Sequence, residues 1–438
     1  MEKHSKLINF IKASVIVVLA VVIVAGVFRL LILKSEDGIS QFDAMYKHPD
    51  NLIDVIFLGS SHVYCDISTG VLWDNYGMAS FDLGGAEAPA WVSYYQLKEA
   101  LRVQDPKLVC FEVSVADDIY YQKDEWAVDN NYSMKWNSNR IEQLRVNSEG
   151  DSFYERLNPY NIMHGRYKDL EENDFRDVNN SINYKGFDPR ESVTEKEFPE
   201  ASRITETEPC PEKAEEYIRK VIELTKSEGV PLVMFISPYC VEDREQRVYN
   251  YIGNIAEEEG VEFIDFNKRY EEMGLDFAVD MAEESHLNYS GNYKFSYYLG
   301  KIISEGYDIP DRRGDSRYVS WDWDSAFQRN ERCDNRILNS DDFYEVMSLT
   351  EYGYIVFAVN EGVATIFENN EAITTTEGGP FRLTYSSGKD SFLFLDEEEG
   401  SIHTCSLFVN DTQYTEDYGN IIFIYDTVTD RYIRSMSF

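Results

Sequence analysis

The stretch "DVIFLGSSHVYCDI", residues 54 to 67, decides the fold. Its four apolar residues, Val55 to Leu58, run directly into Gly59, Ser60, Ser61 and His62. So short and continuous an apolar run reads as a strand buried on both faces. Four further segments read as strands, "SFDLGG" (80–85), "KLVCFEVSV" (107–115), "VPLVMFISP" (230–238) and "VEFIDF" (261–266), and four of the five are short and nearly continuously apolar. Between them, "WVSYYQLKEALRVQ" (91–104), "PEKAEEYIRKVIELTKSEG" (211–229) and "VEDREQRVYNYIGNIAEEEG" (241–260) carry apolar residues at helical spacing, the last two ending in Gly. A final helix is expected at 291–306 with Ser290 as its cap. Alternation of this kind predicts a doubly wound α/β sheet.

The chain has 438 residues, 43% apolar and 14% aromatic, enough for two globular units with additions. Asp and Glu number 79 against 41 Lys and Arg, giving a formal charge of −38. Such a surface repels phosphate backbones, so nucleic acid is not an expected partner. Six cysteines, at 65, 110, 210, 240, 333 and 405, show no C-x-x-C spacing, and no zinc site is readable.

Near the N-terminus, "ASVIVVLAVVIVAGVF" (13–28) is uncharged, and with its apolar flanks it approaches the roughly 20 residues that cross a bilayer. Lys3, Lys6 and Lys12 precede it, against Arg29 and Lys34 after it. That bias favours a cytoplasmic N-terminus and an exported remainder. The run is long for a signal-peptide core and no A-x-A-like site follows, so an uncleaved anchor over residues 1–37 is the expectation.

The α/β domain is expected over 38–310, interrupted at about 117–210 by a polar, Asn-rich and aromatic-rich insertion, a candidate lid over a site. Residues 311–350 read as a linker with short helices. From 351 to 438 six strand-like runs, from "YIVFAVN" to "RYIRSMSF", read as an all-β sandwich module.

In a parallel sheet, ligands bind at the carboxyl ends of the strands, and that is where Ser60 and Ser61 fall. A serine there becomes a nucleophile if a base takes its proton and hydrogen-bond donors hold the developing oxyanion. Of six histidines, His286 in "DMAEESHLNYSG" is the best-placed base, with Glu283 three residues and Asp280 six residues upstream as alternative acids to orient it. His62, beside the serines, reads as a structural or site-lining residue.

These segments resemble the SGNH or GDSL hydrolase superfamily, and within it the membrane-anchored branch similar to the alginate and lipoteichoic-acid modification proteins. The resemblance spans about residues 50–310 and implies a three-layer, flavodoxin-like parallel sheet. "GSS" stands where Gly-Asp-Ser would, making Ser61 the implied nucleophile with Ser60 in the Asp position. "DLGG" stands for Asn-x-Gly, giving Gly84 as an oxyanion donor, and "EESH" for Asp-x-x-His, giving His286 as base and Glu283 as acid. The third block, Gly-x-Asn-Asp, is absent: Glu112 to Val115 occupy its place, with Ser114 nearest the missing side chain. Glu112 reads either as a buried, paired carboxylate or as a substrate contact. The C-terminal strands weakly resemble the interleukin-like EMT inducer sandwich, some members of which bind glycans.

The resemblance implies a single-pass protein of a bacterial-type plasma membrane with its bulk outside the cytoplasm, performing O-acyl, foremost O-acetyl, transfer or hydrolysis on a cell-surface or secreted polysaccharide. A membrane-bound O-acyltransferase would supply the acyl group, and no metal or organic cofactor is called for. The alternative is a catalytically inactive SGNH-like glycan-binding or scaffold protein that keeps the fold without the third-block donor.

Overall fold

A computed structural model describes residues 2–31, 41–117, 122–158, 160–170, 172–175, 185–360, 363–378, 381–388, 390–399, 402–417 and 420–438. The expected boundary at residues 37/38, Lys34 and the middle of the 117–210 insertion fall outside these residues. The chain divides into two compact units, Met1–Asp324 and Ser325–Phe438.

In the first unit all five expected strands form: β1 (Val55–Gly59), β2 (Ser80–Gly84), β3 (Leu108–Glu112), β4 (Leu232–Ile236) and β5 (Glu262–Asp265). They make one parallel sheet in the order β2-β1-β3-β4-β5, the flavodoxin-like winding. β1 shows why the run 55–58 is apolar throughout. Ile56 and Leu58 enter one core with the helices Ala90–Ala100, Glu212–Glu228 and Asp243–Glu259, while Val55 and Phe57 enter the opposite core with Val63, Leu72 and the helix Tyr289–Gly306. Burying a side chain of this size contributes about 1.5–3 kcal/mol, so both faces of the strand are committed.

The last helix of this unit is capped differently from expectation. Asn288, not Ser290, is its cap: the Asn288 side chain accepts from the Ser290 and Gly291 N–H groups. Two short helices, Ser61–Asp66 and Thr69–Tyr76, follow β1 directly. Short helices between Asp124 and Met163 and single turns at His164–Lys168, Glu172–Phe175 and Glu200–Arg203 lie in the described part of the insertion.

The segment 311–350 is more structured than a linker. Arg312 makes a two-pronged ion pair with Asp54 at the entry to β1 (2.7 and 2.8 Å), and a 21-residue helix covers Val319–Asn339. The division between the units falls within that helix.

Among the described residues the second unit holds nine antiparallel strands rather than six: β6 (Tyr354–Asn360), β7 (Val363–Glu368), β8 (Glu371–Glu377), β9 (Arg382–Ser387), β10 (Asp390–Glu399), β11 (Ile402–Val409), β12 (Thr412–Asp417), β13 (Ile421–Asp426) and β14 (Arg431–Ser437). They form two sheets, β12-β11-β10-β9 and β14-β13-β6-β7-β8, with a core around Phe357, Phe392, Phe394 and Phe423. Ile337 and Val346, from the helices ahead of β6, pack with Val356, Ile422 and Ile424 in a second cluster. Among the described residues there is no disulfide.

Candidate active site

The winding of the first sheet reverses between β1 and β3, and open α/β sheets bind ligands at such a point. Gly59 ends β1 with φ +150°, and a Cβ there would meet the Glu112 carbonyl at 2.7 Å, so only glycine lets the two strand ends approach. Ser60 then caps the helix Ser61–Asp66: its Oγ accepts from the His62 N–H at 3.3 Å. The same hydroxyl donates to Glu112 Oε2 at 2.9 Å.

Ser61, one residue on, faces the other way. Its Oγ lies 2.8 Å from His286 Nε2, and His286 Nδ1 lies 2.5 Å from Glu283 Oε1. A carboxylate only accepts, so the proton on the ring sits at Nδ1 and Nε2 is left to accept from the Ser61 hydroxyl. The hydrogen bond from His286 holds the Glu283 carboxyl below its ordinary range against the opposing effect of burial, helped by the charges of His286, Arg190 and His62.

The loop that carries His286 is pinned from several sides. The Ala282 carbonyl accepts from Ser192 and Thr194 hydroxyls at 3.1 and 2.7 Å, and the Cys240 N–H donates to the Glu284 carbonyl at 3.0 Å. The Leu287 N–H donates to Asp66 Oδ1 at 2.9 Å. The structure therefore brings Ser61, His286 and Glu283 into one hydrogen-bonded chain. It places Asp280, the alternative acid, elsewhere: fully buried, its Oδ2 accepts from Lys294 Nζ at 2.6 Å and from the Asp276 N–H at 2.7 Å. Asp280 braces the loop and does not orient the ring.

Glu112 is a buried, paired carboxylate. Besides Ser60 it accepts from the Ser114 N–H at 2.9 Å and the Ser114 hydroxyl at 3.1 Å. Ser114, the residue nearest the missing third-block side chain, is thus committed to Glu112. The floor beneath continues through Tyr249, whose hydroxyl donates to the Ser114 carbonyl at 3.0 Å and lies 2.6 Å from the Tyr239 hydroxyl. Gly84 is packed against the serine turn, where a Cβ would come within 2.5 Å of the Ser60 carbonyl and 3.1 Å of Val63 Cβ.

His62 lies beside the chain of Ser61, with ring centroids 5.2 Å from His286 and 4.9 Å from Tyr239. Its Nδ1 is 3.0 Å from Asp66 Oδ2. Burial favours the neutral ring, but the Asp66 hydrogen bond and the charges of Asp66, Glu112 and Glu245 outweigh it and raise the pKa of His62 above the ordinary histidine value. Asp66 is the residue that the sequence reading missed. It sits four residues after His62, one helical turn, so a His-x-x-x-Asp spacing was there to be read.

No protein-family model matches the chain, and no curated protein matches it. Among solved structures, one of Bacteroides fragilis described as a "putative acylhydrolase" is similar at 11% identity with a TM-score of 0.31, over 60% of this chain and 93% of that one. A likeness at that level carries no weight for the chemistry, and the reading of the site stands on its geometry.

Proposed function

We propose that this protein is a serine-dependent O-acyltransferase or esterase, and that its substrate is an acetylated glycan or polysaccharide outside the cytoplasm. One observation carries the proposal: Ser61, His286 and Glu283 form a nucleophile, base and orienting acid at the switch point of a parallel sheet, spaced for proton transfer. The SGNH-like order of the same residues in the sequence supports it.

The Ser61 Oγ attacks the ester carbonyl carbon while its proton passes to His286 Nε2. Glu283 holds Nδ1–H and steadies the imidazolium as it forms. The carbonyl oxygen gains the negative charge. Collapse breaks the ester bond, the departing alkoxide takes the proton from His286, and an acyl-Ser61 remains. A sugar hydroxyl or water then repeats the sequence in reverse. For the oxyanion, Ser114 is spent on Glu112, and His62 takes the role instead. Its Nδ1–H is held by Asp66, so in the imidazolium form Nε2 carries a second N–H, which would serve the oxyanion together with the Ser61 and Gly84 backbone amides.

The apolar helix Ile8–Leu31 serves as the anchor, with the N-terminus cytoplasmic and the remainder exported. Acyl groups would come from a membrane-bound O-acyltransferase, and the second unit would hold the glycan. Incubating the full chain with a fluorophosphonate and with a chromogenic acetyl ester tests the central claim. Labelling and turnover should both vanish in Ser61→Ala and His286→Ala. Turnover that survives both substitutions refutes it. The commitment of Ser114 to Glu112 favours one rival, an inactive glycan-binding scaffold, and a folded wild type that neither labels nor turns over would support that rival.

A further inference from the structure

The C-terminal end of the helix Glu2–Leu31 is enclosed by short elements from the insertion. Phe28 meets Tyr132 edge-on at 6.0 Å between centroids and lies 6.2 Å from Tyr160, and it joins Val128 and Met163 in a small apolar cluster. Arg166 Nη1 donates to the Leu31 carbonyl at 3.0 Å. The turns His164–Lys168 and Glu172–Phe175 both lie against this helix.

Length places this contact relative to a bilayer. The apolar stretch Ile8–Leu31 has 24 residues. At about 1.5 Å per residue it spans about 36 Å, against a hydrocarbon core of about 30 Å. The surplus of about 6 Å corresponds to roughly four residues, and Phe28 and Leu31, which bound the last four, are the ones seen to meet the insertion. On the enclosing elements the aromatic rings point outward: Tyr160, Tyr167 and Phe175 are 41%, 62% and 64% exposed. Three exposed aromatics on the elements around one end of an apolar helix suit an interaction surface. Tyrosine rings, apolar with one polar tip, favour the headgroup level of a membrane.

We propose that residues 160–170 and 172–175 lie in the headgroup layer of the membrane crossed by the helix Ile8–Leu31, with Tyr160, Tyr167 and Phe175 as the lipid contacts. Two contacts, an anchor and an interfacial patch, fix which edge of the first unit faces the bilayer. One contact would leave that unit free to swivel.

Site-specific incorporation of benzoylphenylalanine tests this in the full chain, reconstituted in nanodiscs of phosphatidylcholine and phosphatidylglycerol. The photoreactive residue replaces Tyr160, Tyr167 or Phe175 singly, with Val18 as the mid-anchor reference and Tyr297, an exposed tyrosine of the last helix of this unit, as the solvent reference. Irradiation should give at least about tenfold more phospholipid adduct at the three positions than at Tyr297. Adducts at Val18 but no excess over Tyr297 at the three positions overturn the patch alone. Absence of adducts at Val18 overturns the anchor and the patch together.

Discussion

Alanine at Ser60 and at Ser61, one at a time, separates two hydroxyls that are adjacent in the chain and do opposite things. The Ser60 Oγ donates to a buried carboxylate, Glu112, and caps a helix N-terminus through His62 N–H. A hydrogen bond to a charged group contributes about 1.5–3 kcal/mol and a cap about 0.5–2 kcal/mol. The two share one atom, and Ser114 continues to serve Glu112 through its N–H and hydroxyl, so the losses do not simply add. Ser60→Ala should therefore destabilise the first unit by about 2–3 kcal/mol and leave turnover within about an order of magnitude. The Ser61 Oγ bonds His286 at a partly exposed position, so Ser61→Ala should move stability by less than about 0.5 kcal/mol. Turnover should fall by at least about 10⁴. The assays are urea unfolding of the detergent-solubilised chain and hydrolysis of the acetyl ester. A Ser60→Ala protein that keeps its stability and loses its turnover would reverse the assignment of the two serines and refute the reasoning.

Glu283→Gln removes the charge that orients His286 while keeping its shape. The side chain is 54% exposed, so the loss in kcat is expected at about 10²-fold, below the 10⁴ of a fully buried orienting acid; an unchanged kcat would show that the ring is held by packing alone. His62→Leu should cost about 10²–10³ in kcat, the price of an oxyanion donor, and should abolish the basic limb of the pH profile, whereas a merely structural His62 leaves the limb in place. Gly84→Ala forces a Cβ to within 2.5 Å of the Ser60 carbonyl, so the serine turn must shift and kcat should fall at least about tenfold with little change in KM; wild-type rates would mean the turn yields without consequence. His48 is pushed down to about 3, first by burial and then by the Lys185 charge. The unfolded chain takes up this proton as pH falls through about 6.5 and the folded protein does not, so stability present above that pH is lost below it, by up to about 1.4 kcal/mol per unit. Urea midpoints between pH 7 and 4.5 should fall more steeply for the wild type than for His48→Phe, and parallel slopes would exclude the role.

Legibility in the sequence followed the source of each signal. The central parallel strands were readable because burial on both faces leaves few polar positions, as in Val55 to Leu58. Ser61, His286 and Glu283 could be named from local motifs, although 225 positions separate the serine from the histidine and only the sheet brings them together. Of the three further sandwich strands, Val363–Glu368 does alternate, with Ala364 and Ile366 buried, while Glu371–Glu377 and Thr412–Asp417 are hidden for the opposite reason. Glu371–Glu377, for example, reads "EAITTTE" and is exposed at nearly every position, so it offers no apolar alternation. The cap is Asn288 and not Ser290: both residue types cap well, and which one does so depends on where the chain leaves the loop. Choosing between Glu283 and Asp280 required knowing that Lys294, a turn inside the next helix, takes Asp280.

The departures from the SGNH-like motif pattern that the sequence resembles are coupled to one another. Glu112 stands in the strand that should end in the third block, and it brings a buried carboxylate close to the point where an oxyanion would form. Left uncompensated, that charge would oppose the reaction, since charges in a water-poor site interact strongly. The compensation lies on the helix that starts at the nucleophile. Asp66, Glu112 and Glu245 together raise the pKa of His62, so the carboxylate that would repel an oxyanion also helps keep a cation beside it. Asp66 has a second task, because its other oxygen accepts from the Leu287 N–H and fixes the residue next to the base. The acidity that replaces the usual donor thus maintains its substitute. The consequence is a rate that falls above the ordinary histidine range, when His62 gives up its Nε2 proton.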